Sequence, residues 1–196
     1  MQYDLIVIGG GPGGLSAAYY LELMGHHAVV FEEKSKLGGM LRYGIPEYRL
    51  PKAVLDSEIE EIKSLGVKLL NNVKIGVDFT LADIRSRYDA VVVAVGAWSN
   101  MGLRCKGEEL NGVMGGIEFL RKIALGQPSG LGKKVAVVGG GNTAMDACRT
   151  AVRAGAENVY VIYRRTRDEM PAEDIEIEEA IEEGVTFKFL TNPAEI

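Results

Sequence analysis

The residues of this chain whose types and spacing suit chemistry are, first of all, glycines. Gly9-x-Gly11-x-x-Gly14 follows a short apolar run, Leu5-Ile6-Val7-Ile8, and opens a stretch with helical spacing. Each glycine of such a turn has a physical task. Gly9 permits the tight turn, Gly11 lets the backbone approach a pyrophosphate, and Gly14 lets the helix pack close on the strand. Free N–H groups at the start of the helix then meet the phosphates. Gly9, Gly11, Pro12, Gly13 and Gly14 are therefore read as one dinucleotide-binding turn. Glu32, 18 residues beyond Gly14, falls where a second strand ends. A carboxylate there accepts hydrogen bonds from both ribose hydroxyls and repels a 2′-phosphate, so this site suits FAD or NAD and disfavours NADP.

The same device returns 130 residues later as Gly139-x-Gly141-x-x-Ala144, with alanine in third place, an accepted variant. Asn142 and Thr143 can cap the helix or touch the pyrophosphate, and the two roles are compatible. At the end of the next strand no carboxylate is found. Tyr163 stands there instead, followed by Arg164 and Arg165. Guanidinium groups hold a 2′-phosphate through charge-assisted, often bidentate, hydrogen bonds, which predicts NADP(H) at this second site. A basic loop paired with Asp168, Glu169 or Glu173 is the alternative.

The elements that must position these residues are legible around them. Leu5–Ile8, Ala28–Phe31, Ala90–Val95, Val135–Val138, Val159–Tyr163 and Val185–Leu190 read as short buried strands, the pattern of parallel sheets. Helices are expected over Gly13–Met24, Lys52–Leu65, Gly116–Ala124, Asn142–Ala154 and Ala172–Glu183. The acids of the last of these read as a solvated face. The alternation is that of βαβ units. The fold class is α/β, with two Rossmann-like dinucleotide-binding units built on parallel sheets. We place a first unit over 1–98, a connection over 99–131 and a second unit over 132–196. The second supplies one βαβαβ half, so the C-terminal part of the first domain is expected to lie elsewhere, in a longer chain or in a second polypeptide.

Composition narrows the classes. With 196 residues, 47% apolar and 25% charged, the chain is long enough to bury a sizeable core. A net charge of −5 argues against nucleic acid. No run approaches the ~20 apolar residues of a membrane span, and no signal peptide is seen, so a cytoplasmic location is expected. Cys105 and Cys148 form no CxxC pair and fit no metal spacing. They are read as idle thiols, and no metal site is expected. His26 and His27, just past the first helix, read as surface residues.

At these residues the sequence resembles the small-subunit family of bacterial glutamate synthase, FAD- and NAD(P)H-dependent reductases coupled to iron–sulfur clusters. The resemblance spans essentially the whole chain. It rests on Gly9 to Gly14, on Gly38-Gly39-Met40-Leu41-Arg42-Tyr43-Gly44-Ile45-Pro46, on Leu50-Pro51-Lys52 and on Val95-Gly96-Ala97. It continues through Gly139 to Asp146 and through Tyr163-Arg164-Arg165 with Glu169-Met170-Pro171. The resemblance implies that Gly39, Leu41 and Arg42 lie near the flavin and its pyrophosphate, Val73 near the FAD adenine, and Gly96 beside the cofactor. It implies that Arg164 and Arg165 form the 2′-phosphate site. The family also carries a cysteine-rich iron–sulfur segment before the first glycine turn and a later Gly-Asp segment over the flavin, neither of which is in these residues.

The expected function is that of a flavoprotein oxidoreductase core passing a hydride between NADPH and FAD, with electrons relayed to an iron–sulfur partner. No acid, base or nucleophile is assigned, because the cofactors carry that chemistry. A thiol–disulfide flavoenzyme shares both turns but needs the missing cysteine pair. A nucleotide-binding module or fragment without turnover of its own is the other reading.

Overall fold

In the computed structural model, which describes residues 4–196, the chain divides into two units, Met1–Ala97 and Trp98–Ile196. The first begins with β1 (Leu5–Ile8), α1 (Pro12–Leu23) and β2 (Ala28–Glu32). A single helical turn, α2 (Met40–Tyr43), precedes α3 (Lys52–Ser64), β3 (Lys68–Asn71), α4 (Leu81–Arg87) and β4 (Ala90–Val93). The four strands are all parallel, in the order β3-β2-β1-β4.

Why these runs are strands follows from where their side chains go. Successive residues of β1 and β2 point to opposite faces, and both faces are covered. Val7, Ala28 and Val30 pack with Leu15, Ala18, Leu55 and Ile59 of α1 and α3. Ile6, Val29 and Phe31 pack on the other side with Ile84 of α4. Each such Val, Leu, Ile or Phe side chain contributes about 1.5–3 kcal/mol by leaving water. Ala90–Val95 was expected to be buried throughout. β4 instead stops at Val93, and Val93 and Val95 are exposed. The cause is position: β4 is an edge of the four-stranded sheet.

The second unit contains α5 (Gly116–Ala124), β5 (Lys134–Val138), α6 (Asn142–Arg153), β6 (Asn158–Ile162), α7 (Asp174–Glu182) and β7 (Thr186–Lys188). Its three strands are parallel, in the order β5-β6-β7. One core holds it together, with Val159 and Val161 packed among Met145, Cys148, Ile177 and Ala180. α5, which lies in the stretch read as a connection, packs on α6 and buries Phe119 and Leu120 in this same core. α6 is buried without interruption from Met145 to Ala151.

β7 is shorter than the expected Val185–Leu190. The Val185 N–H is taken by Ala180 O at the end of α7, and Leu190 turns away with φ 51. α7 also departs from a wholly solvated acidic face. Glu176 is buried and paired with the buried Arg149 at 2.8 Å, and Glu179 and Glu183 meet the same guanidinium. An Arg with this many carboxylates keeps its fixed charge compensated inside the protein.

Candidate functional site

The first glycine turn is bound into its unit by backbone and space. Gly9 donates to Phe31 O at 2.8 Å and has φ 109, a conformation that side chains rarely adopt. A Cβ on Gly14 would run into Gly9 O, so the helix can pack this close only with glycine there. Gly11 is different. A Cβ there would meet nothing nearer than Gly39 Cα at 3.7 Å, and one on Gly13 would meet nothing within 4 Å. The protein itself thus leaves room at Gly11 and Gly13. α1 begins after Gly11 with Pro12 in its first turn and has no side-chain cap. Its first N–H groups lack helical partners, and at that end the helix dipole favours an anion.

Glu32 is buried, and each of its carboxylate oxygens accepts a backbone hydrogen bond. Oε2 accepts from the Gly10 N–H at 2.7 Å and Oε1 from the Lys34 N–H at 2.8 Å. A carboxylate has about four lone-pair sites, so each oxygen keeps capacity for a further donor. The Glu32 carbonyl accepts from the Val73 N–H at 2.9 Å, which ties the Val73 backbone to the strand end. Gly10 was given no role by its spacing. A Cβ there would lie 2.6 Å from Leu37 and 3.1 Å from Glu32, so glycine is what lets the carboxylate reach the turn.

The loop after β2 folds back over this turn. Gly38 donates to Gly10 O at 2.8 Å, and a Cβ on Gly39 would lie 2.7 Å from Gly11 Cα. Leu41 packs against the α1–α3 core. The buried Arg42 donates through Nε to Leu37 O and pairs with Asp56 of α3. Gly96, with φ 73, is exposed beyond the end of β4.

The second unit repeats much of this. Gly139 donates to Ile162 O at 3.0 Å, as Gly9 does to Phe31 O. Gly140 O accepts from the Ala172 N–H at 3.1 Å, as Gly10 O does from Gly38. α6 follows Gly141 without a side-chain cap, and a Cβ on Gly141 would meet only Pro171, at 3.9 Å. Thr143 is exposed in the first turn of α6, and Ala144 lies beside Gly139. Asn142 does not cap its own helix. Its Oδ1 accepts from the Glu173 N–H at 3.1 Å, so the side chain braces the start of α7 and keeps its amide N–H groups for other acceptors.

At the place of Glu32 stands Tyr163, whose backbone N–H donates to Lys188 O and whose carbonyl accepts from Thr191 at 3.1 Å. Its ring lies 2.6 Å from where a Gly140 Cβ would be, and its hydroxyl donates to Glu169 O at 2.8 Å. Arg164 and Arg165 follow, both exposed. Arg165 Nε lies 4.0 Å from Glu169, an ion pair at the limit of contact, so part of the anticipated local pairing exists. Glu169 itself is held by Thr166 through a capping box. The role of Glu169-Met170-Pro171 lay hidden in the sequence, because it depends on this fold-back onto Gly140 and Gly141.

Among the described residues no group of three His, Cys, Asp or Glu side chains could hold a metal ion, and no helix is long and apolar enough to cross a membrane. Neither cysteine is in a disulfide. Burial pushes the Cys148 thiol up to about 12, and its Sγ–H donates to Met145 O at 3.2 Å. His26 is exposed, and its Nδ1 lies 3.7 Å from Asp4.

With this geometry in hand, the chain can be set beside known proteins. The family model for pyridine nucleotide-disulphide oxidoreductases matches residues 3–196. The chain is 50% identical over 190 residues to an NADP(+)-dependent formate dehydrogenase subunit beta of Moorella thermoacetica, covering 95% of this chain and 27% of that protein. It is 44% identical to an NADPH-Fe(3+) oxidoreductase subunit beta of Geobacter sulfurreducens, covering 97% and 29%. Against a glutamate synthase [NADPH] small chain of Escherichia coli it is 39% identical, covering 95% and 42%. The chain therefore spans less than half the length of these relatives. Among solved structures, FprA of Mycobacterium tuberculosis in complex with NADPH superposes with a TM-score of 0.86 over the whole of this chain and 61% of that one, at 19% identity. A thioredoxin reductase of Lactococcus lactis does so at 0.70 and 21%, covering all of this chain and 67% of that one. These two likenesses are of fold.

Proposed function

The chain belongs to the pyridine nucleotide-disulphide oxidoreductase family, and from that premise we propose that its first unit holds FAD and its second NADP(H). On this reading it is the core of a flavoprotein oxidoreductase that moves a hydride between the two and relays electrons to an iron–sulfur partner. The observation that carries the reading is the contrast at two matching strand ends. Glu32 is a buried carboxylate offered to ribose hydroxyls, whereas Tyr163, Arg164 and Arg165 offer two guanidinium groups and no acid.

The residues present fit both groups. Gly11 and Gly13 leave open space beside an uncapped helix start, the cradle a pyrophosphate needs. Gly9, Pro12, Gly14, Gly39, Leu41 and Arg42 build and close that cradle, and Val73 and Gly96 flank it. Gly139, Gly141, Asn142, Thr143 and Ala144 form the second cradle, with Arg164 and Arg165 for the 2′-phosphate. Bound flavin would supply an acceptor that takes two electrons and can release them singly. The protein binds, orients and excludes water, and no side chain is assigned as acid, base or nucleophile. The buried, neutral Cys148 is not a redox thiol. The relatives named as beta subunits or small chains support partner chains, one of which would carry the iron–sulfur group.

The test is an absorbance spectrum of the purified protein with added FAD, before and after anaerobic NADPH. Flavin bands that bleach on addition support the reading. Absence of flavin binding at saturating FAD would remove the assignment of the first unit. A second reading is a nucleotide-binding module without turnover. It predicts bound flavin that NADPH leaves oxidised.

A further inference from the structure

The loop that closes over the first glycine turn converges on one ammonium group. Lys52 is the first residue of α3, and its Nζ donates to Leu41 O at 3.1 Å, to Ile45 O at 2.8 Å and to Leu50 O at 2.8 Å. Its own backbone N–H donates to the Glu47 carboxylate, at 3.1 and 3.2 Å to the two oxygens. An ammonium has three donors and no acceptor. It is the one side-chain head of this size that can satisfy three converging carbonyls at once. The carbonyls belong to the segment that runs from the Gly38–Gly39 contact with the turn to the start of α3. Its other end is fastened by Arg42 to Leu37 O and Asp56, and by the Tyr43 hydroxyl, which lies 3.1 Å from Lys36 O.

What this loop positions is Gly39. A Cβ on Gly39 would lie 2.7 Å from Gly11 Cα, so the two backbones are in close approach where the turn is otherwise open. Tyr43 and Arg42 donate their N–H groups to Gly39 O at 3.0 and 3.1 Å, and Leu41 donates to Gly38 O at 3.0 Å. The placement of Gly39 thus depends on the turn of α2, and that turn hangs from Lys52 through the Leu41 and Ile45 carbonyls. Lys52 is 13 residues from Gly39 in sequence, and nothing in the glycine spacing marks it.

We propose that Lys52 is the positioning residue of the first dinucleotide site: its ammonium gathers the Leu41, Ile45 and Leu50 carbonyls and so holds Gly39 against Gly11 in the geometry that grips the dinucleotide. The inference rests on reading the first unit as the FAD site. It assigns to Lys52 no contact with the reacting atoms. A neutral side chain leaves three carbonyls without their donor, frees the loop, and weakens the cofactor while the sheet and its two core layers stay intact.

The experiment compares wild type with Lys52→Met and Lys52→Arg. Each protein is stripped of flavin, titrated with FAD by flavin fluorescence, titrated separately with NADPH, and melted without ligand. The expected result for Lys52→Met is a rise of tenfold or more in the Kd for FAD, with the Kd for NADPH unchanged and the ligand-free melting temperature close to wild type. Lys52→Arg, which keeps charge and donors, recovers part of the loss. A Kd for FAD within twofold of wild type overturns the proposal. So does a loss of FAD affinity matched by an equal loss of NADPH affinity, since that is general destabilisation. If Lys52→Met does not fold, Lys52→Gln is measured in the same way against the same limits. Wild type that binds NADPH but no FAD defeats the reading of the first unit itself, and this proposal with it.

Discussion

Gly9 and Gly139 donate to a carbonyl near the end of the neighbouring strand, Gly10 and Gly140 each accept from a loop that folds back, and Val73 and Thr191 donate to the residue that follows that carbonyl, Glu32 and Tyr163. In these contacts the two units match. They part at the strand end, where the first unit has Glu32 reaching the Gly10 N–H and the second has the Tyr163 ring lying against Gly140. The comparison teaches that the cradle for a pyrophosphate is generic backbone, while the proposed choice between a ribose hydroxyl and a 2′-phosphate is made by side chains at the strand end. The loops differ too. Lysine and arginine fasten the first to α3, whereas Asn142 and Thr166–Glu169 fasten the second.

The comparison breaks most sharply within the first turn. Gly14→Ala drives a methyl group into Gly9 O, and overpacking against backbone should cost at or beyond the upper end of the usual ~1–3 kcal/mol. Thermal unfolding should register that loss with or without FAD. Gly11→Ala meets only Gly39 Cα at 3.7 Å, so its ligand-free melting temperature should hold while FAD retention falls away. If Gly11→Ala still purified yellow, the first cradle would be misassigned.

The next largest effect tests what separates the units. Arg164→Ala should weaken NADPH by about 1.5–3 kcal/mol, the range for a hydrogen bond to a charged group, and leave NADH unchanged. Equal losses for both nucleotides, by calorimetric titration, would take the 2′-phosphate away from Arg164. Glu32→Gln is the matching change in the first unit. It keeps one acceptor oxygen and loses the other, so FAD binding should weaken with no change in NADPH.

The way these sites are assembled was only partly open to sequence reading. Runs such as Val29-Val30-Phe31 announce buried strands because both faces must be covered, and the strand–glycine–helix order locates both turns. β3 escaped notice because Lys68-Leu69-Leu70-Asn71 is short and has polar ends, and α4 because seven residues show barely two turns. The roles of Lys52 and Asp56 and the pairing of Asn142 with Glu173 were invisible for another reason. Their partners are fixed by tertiary folding, and no local period encodes them. Glu176 was hidden likewise, since only the approach of Arg149, 27 residues earlier, makes its burial affordable.

A smaller effect separates the units by acid. Burial alone would raise the Glu183 carboxyl, but hydrogen bonds from Arg153 and Arg149 and their charges outweigh it and hold it below its ordinary value of 4.5. A depressed folded value means that Glu183 contributes stability in full above that ordinary value, and the contribution is lost as pH falls through the folded one. Unfolding followed from pH 6 down should show Glu183→Gln less sensitive to acid than wild type below about pH 4.5. The smallest expected signal is chemical. In the native state a thiol reagent near pH 8 should label the partly exposed Cys105 and spare Cys148, whose thiol is buried and raised to about 12. Labelling of Cys148 at the same rate would show that α6 opens readily.

That helix has a consequence for how a nucleotide would come and go. From Met145 to Ala151 every residue of α6 is buried, so its amide hydrogens should be among the slowest of the second unit to exchange with deuterium. The segment from Arg164 to Pro171 is mostly exposed and touches the turn through Ala172 and Pro171. An incoming dinucleotide would meet a buried seat at α6 and, beside it, an exposed segment held down by the Tyr163 hydroxyl on Glu169 O and by the Ala172 N–H on Gly140 O. Its arrival would need no rearrangement of the seat.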